Sequence, residues 1–202
     1  MAVHLTKIYT RTGDDGTSGL GDFSRVAKTD PRLAAYADAE EANAAIGVAL
    51  ALGALPEDVA TVLRRVQNDL FDVGADLCTP VITQHDPTQN GPPRSGPAHS
   101  PLRITDGYVT RLEGWCDKFN AELSKLDSFI LPGGTPGAAL LHAARVVVRR
   151  AERSTWAVLE ADPDHTNPIA ARYLNRLSDL LFILGRKVNP DGDVLWKPGG
   201  ER

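Results

Sequence analysis

The chain has 202 residues, of which 42% are hydrophobic, 24% are charged and 6% are aromatic, and its formal net charge is −4. This length predicts one domain, residues 1–202, that can bury a core without disulfide bridges or a structural metal. The acidic balance excludes a nucleic-acid surface, which needs a basic footprint, and the longest nearly uncharged apolar stretch is too short to span a bilayer.

The first 30 residues show no helical periodicity and predict a loop. Residues 10–22 read TRTGDDGTSGLGD, and their closely spaced glycines allow left-handed backbone conformations. Successive N–H groups here can form an anion-binding nest, although the segment lacks the ending of a Walker A loop and the context of a dinucleotide fingerprint. Asp14 and Asp15 would repel a bare phosphate, which indicates either bound Mg²⁺ or simple exposure to solvent. By itself such a segment is more often an ordinary turn.

The first two helices follow this loop. One begins at Pro31, behind Asp30 as the N-cap, and ends before Gly53. The other covers about 57–78, with apolar residues at steps of three and four. Residues 84–103 are rich in proline and glycine, and we interpret them as a mobile connector rather than a domain boundary, because the helical pattern resumes afterwards.

Three more helices are predicted at about 105–126, 137–161 and 169–188, followed by a turn-rich tail at 189–202. No strand and no internal repeat is evident in the sequence. We therefore predict an all-α fold, a five-helix bundle of ferritin-like up-down topology with a Gly-rich N-terminal loop.

The fourth helix carries the densest charge in the chain. Arg145, Arg149 and Glu152 lie along one side of it, and Arg150 and Arg153 form a neighbouring row. The core-facing stripe consists of Leu141, Ala144, Val148 and Ala151. Such a face is commonly a solvated surface with weak ion pairs. It is also a good receptor for a polyanion, because guanidinium groups give bidentate bonds to phosphate oxygens.

The fifth helix places Asn175 and Asp179 four residues apart, beside a leucine stripe. This polar pair is either the exposed edge of the helix or a contact for a ribose or a base.

The remaining residues that could bind a metal or act as nucleophiles are interpreted as structural. Cys78 and Cys116 belong to no metal-binding motif and are interpreted as reduced core residues of a cytoplasmic protein. His142 is interpreted as a packed histidine, and no Glu-x-x-His pair indicates a di-iron bundle. The N-terminus turns polar too soon for a signal peptide.

Four motifs, in order and at similar spacing, resemble the PduO-type ATP:cob(I)alamin adenosyltransferases. They are TRTGDDG at 10–16, FILPGG at 129–134, RVVVRRAER at 145–153 and NRLSD at 175–179. The resemblance extends over about residues 7–186. It implies a five-helix bundle, a homotrimer with active sites between subunits, and transfer of the 5′-deoxyadenosyl group of ATP to the cobalt of cob(I)alamin, with release of triphosphate.

The same resemblance implies roles for individual residues. Arg149 and Phe129 match catalytic positions, and Phe129 also matches an aromatic residue that lies beneath the corrin and keeps a lower ligand off cobalt. Glu40 stands where the family has an aspartate that pairs with Arg145 of an adjacent subunit, so this pair has a longer acidic side chain here. The positions that match ATP contacts are Thr10, Arg11, Thr12, Gly13, Ser18, Gly19, Lys28, Arg149, Arg150, Glu152, Arg153 and Asn175.

The implied chemistry agrees with the residues present. Cobalt is already the nucleophile in cob(I)alamin, so the protein needs no nucleophile or general base of its own; its tasks are positioning and stabilisation of charge on triphosphate. Mg²⁺ is expected to be held mainly by the ATP phosphates, with no metal site in the protein itself. A reductase and a B12-dependent mutase are the expected protein partners. The alternatives are a non-catalytic ATP- and corrinoid-binding carrier or sensor, and a structural bundle that binds neither ligand.

Overall fold

A computed structural model of the protein describes residues 9–82 and 101–201. Within these ranges the chain forms five α-helices and one two-stranded antiparallel ribbon. In chain order they are β1 Thr17–Gly19, β2 Arg25–Ala27, α1 Pro31–Leu52, α2 Glu57–Leu77, α3 Asp106–Asn120, α4 Pro136–Ala161 and α5 Pro168–Lys187.

Three of the helices begin with the same local arrangement, a polar cap followed by proline. The pairs are Asp30–Pro31, Thr135–Pro136 and Asn167–Pro168. In each case the side chain of the cap accepts a hydrogen bond from a backbone N–H of the first turn, at 2.8 to 3.1 Å. Proline at the next position has no N–H to leave unsatisfied. This explains why the predicted starts of these helices agree with the structure to within one residue.

The helices pack in the spatial order α2, α1, α4, α5, α3, with the core along their shared faces. The apolar stripes predicted for α2, α4 and α5 are buried, which confirms the helical bundle. Its ferritin-like up-down topology stays a prediction. Among the described helices, none combines the length and the apolar character that crossing a membrane requires.

The prediction that the N-terminal segment contains no strand was wrong. β1 and β2 pair antiparallel, with Ser18 opposite Val26. The turn between them docks on the end of α2, where the N–H of Gly21 donates to the carbonyl of Cys78 at 2.8 Å, and Leu20 is buried. Strands of three residues are too short to leave a period-2 pattern in the sequence.

The predicted end of α3 was also wrong, since the helix stops at Asn120 rather than near residue 126. The N–H of Ala121 makes the last helical bond, to Asp117, and the chain then turns toward the end of α5. There the carbonyl of Ser124 accepts a hydrogen bond from Arg186 at 2.9 Å. A tertiary contact therefore overrides a helical pattern that continues in the sequence.

Most of the predicted connector, 84–103, lies outside the described residues, and its last residues are held in place. The Arg103 guanidinium donates to Asp76 Oδ1 and to the Thr79 carbonyl, both at 2.6 Å. Ile104, which follows, is buried in the core. A buried carboxylate thus anchors the last residue of the predicted connector, and the mobility of the connector stays a prediction.

Candidate active site

The charged side of α4 and the polar side of α5 adjoin each other, and we name the surface between Arg145 and Glu152 on α4 and Asn175 and Phe182 on α5 the α4–α5 groove. Asn175 on α5 donates from Nδ2 to Glu152 Oε1 on α4 at 2.8 Å. Two turns away, the Arg145 guanidinium lies over the Phe182 ring, 5.4 Å from its centroid. Arg149 lies between Arg145 and Glu152 on the same side of α4. The structure thus brings together the predicted residues of the RRAER and NRLSD segments.

The arginines of α4 divide into two groups. Arg150 points toward α1, where it forms ion pairs with Asp38, at 3.3 Å, and with Glu41. Arg149 and Arg153 are exposed, and in residues 9–82 and 101–201 neither side chain has an ion pair or a hydrogen bond. Two guanidinium groups without a counter-charge among these residues are available for an external anion.

Burial at the Arg145 end of the groove shifts two pKa values. Burial and the nearby charge of Arg149 lower the pKa of Arg145, while Asp179 acts in the opposite direction. Burial lowers the pKa of His142, and the charge of Arg145 adds to this effect. The His142 ring packs edge-on against Phe182, with centroids 6.0 Å apart, so the predicted packed histidine is confirmed.

The N-terminal loop places a lysine beside a glycine. The Lys28 N–H donates to the Gly16 carbonyl at 2.9 Å, which brings the Lys28 side chain back over the loop. A Cβ at Gly13 would lie only 3.2 Å from Lys28 Nζ, so a larger residue would crowd the ammonium group. Arg11 has a left-handed backbone, with φ of 64°, and its guanidinium lies over the Tyr9 ring. The loop therefore carries two cationic side chains, Arg11 and Lys28, and their role in an anion site stays a prediction.

The hydroxyl groups of the loop are partly engaged by its own side chains. Thr10 Oγ1 and Thr12 Oγ1 are 2.8 Å apart and share a hydrogen bond. The side chain and the backbone N–H of Thr17 both donate to Asp15, and these bonds lower the pKa of the Asp15 carboxyl. Arg25 also donates to Thr17 Oγ1, at 3.0 Å through Nε. Ser18 and Gly19 lie in β1.

The described part of the chain does not contain a preformed metal centre. No group of three or more His, Cys, Asp or Glu side chains there is placed to hold an ion. Nor does any hydrogen bond or ion pair join the loop residues 10–28 to Arg149 or Arg153 within the described residues of a single chain. The structure thus contains two cationic elements, the N-terminal loop and the arginine row of α4, and no hydrogen bond or ion pair among the described residues joins the loop to Arg149 or Arg153.

The predicted corrin-facing residue lies on a third element. Phe129 is 78% exposed, and its ring meets Trp196 edge-on, with centroids 6.2 Å apart. The Trp196 N–H donates to the Phe129 carbonyl at 2.7 Å, and the Leu131 N–H donates to the Val194 carbonyl at 2.8 Å. The tail thus pairs with the segment that carries Phe129. A cavity of about 360 Å³ lies there, lined by Leu131, Val194, Leu195, Trp196 and Lys197.

The sequence analysis predicted only a turn-rich tail at 189–202, whereas the structure pairs this tail with the segment of Phe129. Exposed apolar side chains gather there, at Leu131, Val194, Leu195 and Trp196 beside Phe129. The available signal was the apolar triplet VLW directly after the turn-forming residues NPDGD. A patch of this kind on a protein surface is typical of a binding site for an apolar partner or ligand.

Known proteins match the chain along nearly its whole length. Residues 8–188 match the family model described as cobalamin adenosyltransferase. The chain is 63% identical to the corrinoid adenosyltransferase of Mycobacterium tuberculosis (strain ATCC 25618 / H37Rv) over 202 residues, which are 100% of this chain and 98% of that relative. It is 43% identical to the cobalamin adenosyltransferase of Cupriavidus metallidurans, over 98% of this chain and 97% of the relative.

The fold also matches a solved structure. A variant of the PduO-type ATP:corrinoid adenosyltransferase of Lactobacillus reuteri, complexed with cobalamin and ATP, superposes with a TM-score of 0.80. The two chains are 30% identical, and the match covers 95% of this chain and 97% of the other.

Proposed function

Because the chain belongs to the cobalamin adenosyltransferase family, we propose roles for its residues in the reaction of that family. It is a corrinoid adenosyltransferase, an enzyme that transfers the 5′-deoxyadenosyl group of ATP to the cobalt of cob(I)alamin and releases triphosphate. The observation that carries the residue assignments below is the α4–α5 groove, in which Arg149 and Arg153 have no counter-charge in the described chain.

The groove is the proposed receptor for the nucleotide. Arg149 and Arg153 donate to the triphosphate, and Asn175, oriented by Glu152 at 2.8 Å, contacts the ribose or the base. In the reaction the cobalt–carbon bond forms at C5′ as the bond from C5′ to the triphosphate oxygen breaks. The negative charge that gathers on the leaving triphosphate is greatest in the transition state, so fixed guanidinium groups stabilise it there.

The N-terminal loop supplies the other side of the proposed nucleotide site. Lys28 and Arg11 contribute charge, and Thr10, Thr12, Gly13, Ser18 and Gly19 contribute hydroxyl or backbone donors. Arg150 belongs to this proposal as well, although its guanidinium already pairs with two carboxylates of α1. The ATP phosphate oxygens would bind Mg²⁺, which would neutralise part of their charge, and the exposed Asp14 has a carboxylate oxygen of suitable chemistry for the same ion.

Phe129 and the neighbouring apolar surface form the proposed corrin site. A largely exposed phenyl ring beneath the corrin excludes water or a base from the lower face of cobalt. A four-coordinate cob(II)alamin is easier to reduce to the nucleophilic cob(I) state than one that keeps a lower ligand, so the aromatic residue acts through the coordination of the cofactor.

The two halves of the nucleotide site meet between copies of the chain in a homotrimer. Two exposed features of α1 and α4 support this proposal. On α1, Glu40 lies in line with exposed Val48 and Leu52 at four-residue steps, and within the described residues its carboxylate has no partner. On α4, exposed Val146 lies next to the arginine row. A second copy on this face would cover the apolar side chains and bring Glu40 to Arg145.

The reaction itself tests the proposal against the carrier or sensor alternative. Protein, MgATP and chemically reduced cobalamin are mixed without oxygen, and the visible spectrum is followed for a light-labile organocobalt product while released triphosphate is measured. Binding of both ligands without product supports the carrier, and binding of neither supports a structural bundle. Light scattering should give about three times the 21.7 kDa of one chain.

Phe129→Ala tests the corrin-side assignment separately. The variant should use ATP with nearly unchanged affinity and react normally with preformed cob(I)alamin. It should be slow when the reaction starts from cob(II)alamin and a reductant. An equal loss from both cobalt states would contradict the role in coordination.

The reaction also needs a reductase to supply cob(I)alamin and an enzyme that consumes the product, for which we propose a B12-dependent mutase.

A further inference from the structure

The support of Phe129 comes from a ribbon rather than from the core. Its ring is mostly exposed, and its backbone carbonyl accepts from Trp196. The ribbon consists of residues 129–131 and 194–196, with Ile130 opposite Leu195. The position of the ring relative to the bundle therefore depends on what holds these two short segments in place.

A single guanidinium contacts both the residue directly before the tail segment and a residue shortly before the Phe129 segment. Arg186, in the last turn of α5, is only 8% exposed. Its Nε donates to Asp193 Oδ2 at 2.7 Å, and its Nη2 donates to the Ser124 carbonyl at 2.9 Å. Asp193 directly precedes the tail segment, and Ser124 lies five residues before Phe129. The side chains of the pair are 7% and 11% exposed, so the bridge is shielded from solvent.

Asn189, just after the helix, anchors the end of the ribbon at which Leu131 and Val194 meet. Asn189 donates from Nδ2 to the Gly192 carbonyl at 2.6 Å and accepts from the Thr135 N–H at 3.3 Å. Gly134 has φ of 102°, and a Cβ there would lie 2.4 Å from Asn189 Oδ1, so this approach requires glycine. Both segments of the ribbon are thus tied to the C-terminal end of α5.

We propose that Arg186 is a positioning residue for Phe129, acting through its buried pair with Asp193 and its bond to the Ser124 carbonyl. This inference rests on the proposed function of Phe129 beneath the corrin. The planar guanidinium reaches two acceptors in fixed directions, which an ammonium group at the end of a flexible chain does not reproduce. If the bridge is lost, the ribbon shifts and water or a base regains the lower face of cobalt. The nucleotide groove, farther along α5, is unaffected.

Two variants test this inference, Asp193→Asn and Arg186→Lys, with Arg172→Met as the control. Arg172 is on the same helix but forms an exposed pair with Asp106. Affinity for MgATP should stay within about twofold in all three, since misplacement acts on the corrin side. The rate from cob(II)alamin with reductant should fall by roughly tenfold or more in the two test variants, because displacements near 1 Å are that damaging. The rate from cob(I)alamin should change little.

Electron paramagnetic resonance of bound cob(II)alamin gives a readout that a merely structural role would not change. The four-coordinate signal should decrease in Asp193→Asn and Arg186→Lys and persist in Arg172→Met. If the wild-type ratio of the two rates and the four-coordinate signal persist in both test variants, the inference is overturned. If Phe129→Ala itself shows no difference between the cobalt states, the proposed function of Phe129 fails first.

If Asp193→Asn and Arg186→Lys do not fold, a third variant still tests the inference. Trp196→Pro removes the N–H that donates to the Phe129 carbonyl and leaves no buried charge unpaired. It should show the same selective loss from cob(II)alamin. A wild-type ratio of rates in this variant would overturn the dependence of Phe129 on the ribbon, and the role of Arg186 with it.

Discussion

Replacing Arg149 or Arg150 with alanine should separate a binding role from a structural one within a single motif. The two residues are adjacent on α4, and each carries one positive charge. Arg149 has no partner among the described residues, whereas Arg150 pairs with Asp38 and Glu41. Removing Arg149 therefore breaks no contact in the described chain, and removing Arg150 breaks a small network.

The contacts of each arginine determine how much its removal should change kcat/KM for ATP and the free energy of unfolding. A charge-assisted hydrogen bond contributes about 1.5–3 kcal/mol, so Arg149→Ala should lower kcat/KM for ATP by about 10- to 150-fold. Its free energy of unfolding should stay within about 0.5 kcal/mol of wild type. Arg150 is 41% exposed and Asp38 is 20% exposed, so their pair is only partly screened. Arg150→Ala should lower the free energy of unfolding by about 1 kcal/mol.

The assay combines steady-state adenosylation at varied ATP with urea unfolding followed by far-ultraviolet circular dichroism. Arg149→Lys, which keeps the charge but loses the bidentate donor, should give an intermediate loss of kcat/KM. Because Arg150 is also a proposed ATP contact, the comparison of the two alanine variants depends on stability. Equal destabilisation of both, or an unchanged kcat/KM in Arg149→Ala, would refute the reasoning.

Three further predictions concern polar groups that are buried or half-buried. Arg32 is buried and bonds the Leu77 carbonyl at 3.0 Å and Asp162 at 2.8 Å, so Arg32→Met should lower the free energy of unfolding by about 3 kcal/mol. The matched exposed variant Arg172→Met should lower it by about 0.5 kcal/mol or less in the same urea titration, and a similar loss in both would contradict the estimate. The folded-state pKa of His142 is lowered by burial, so its contribution to stability is complete above the unfolded pKa of about 6.5 and is lost as the pH falls below it. Urea titrations at pH 7.5 and 5.5 should show a smaller loss in His142→Leu than in wild type, and an equal loss would rule out this assignment. Burial raises the pKa of the Cys116 thiol to about 11, so at pH 8 its modification by iodoacetamide, followed by peptide mass spectrometry, should be roughly 100-fold slower than in urea-unfolded chain; comparable rates would contradict it.

The helical core was predictable because its signals are local. In α5, Leu174, Leu177, Leu181 and Leu184 recur at helical spacing, and all four are buried. The cap at Asp30 depends on the first residues of the helix that it begins. The grouping of Arg145, Arg149 and Glu152 on one side of α4 follows from 3.6 residues per turn alone. These features require no knowledge of what packs against them.

The roles of neighbouring residues with the same chemistry were not predictable. Arg149 and Arg150 are both arginines of one helix, and only the position of α1 makes one of them a partner of Asp38. The end of α3 at Asn120 and the pairing of the tail with Phe129 likewise depend on contacts between distant segments, with Arg186 joining Ser124 to Asp193.

By itself, the sequence determined the helices, their buried faces and the motifs that indicate the family, because hydrophobic periodicity, capping and motif spacing are properties of nearby residues. The packing of the helices, by contrast, sets which charges of the described residues lack a partner and which segments hold the exposed Phe129 ring. Ion pairs form between residues far apart in the sequence, 112 positions in the pair of Asp38 and Arg150 and 130 positions in the pair of Arg32 and Asp162. No pattern in either segment alone specifies such a partner, since the pairing depends on how the helices pack.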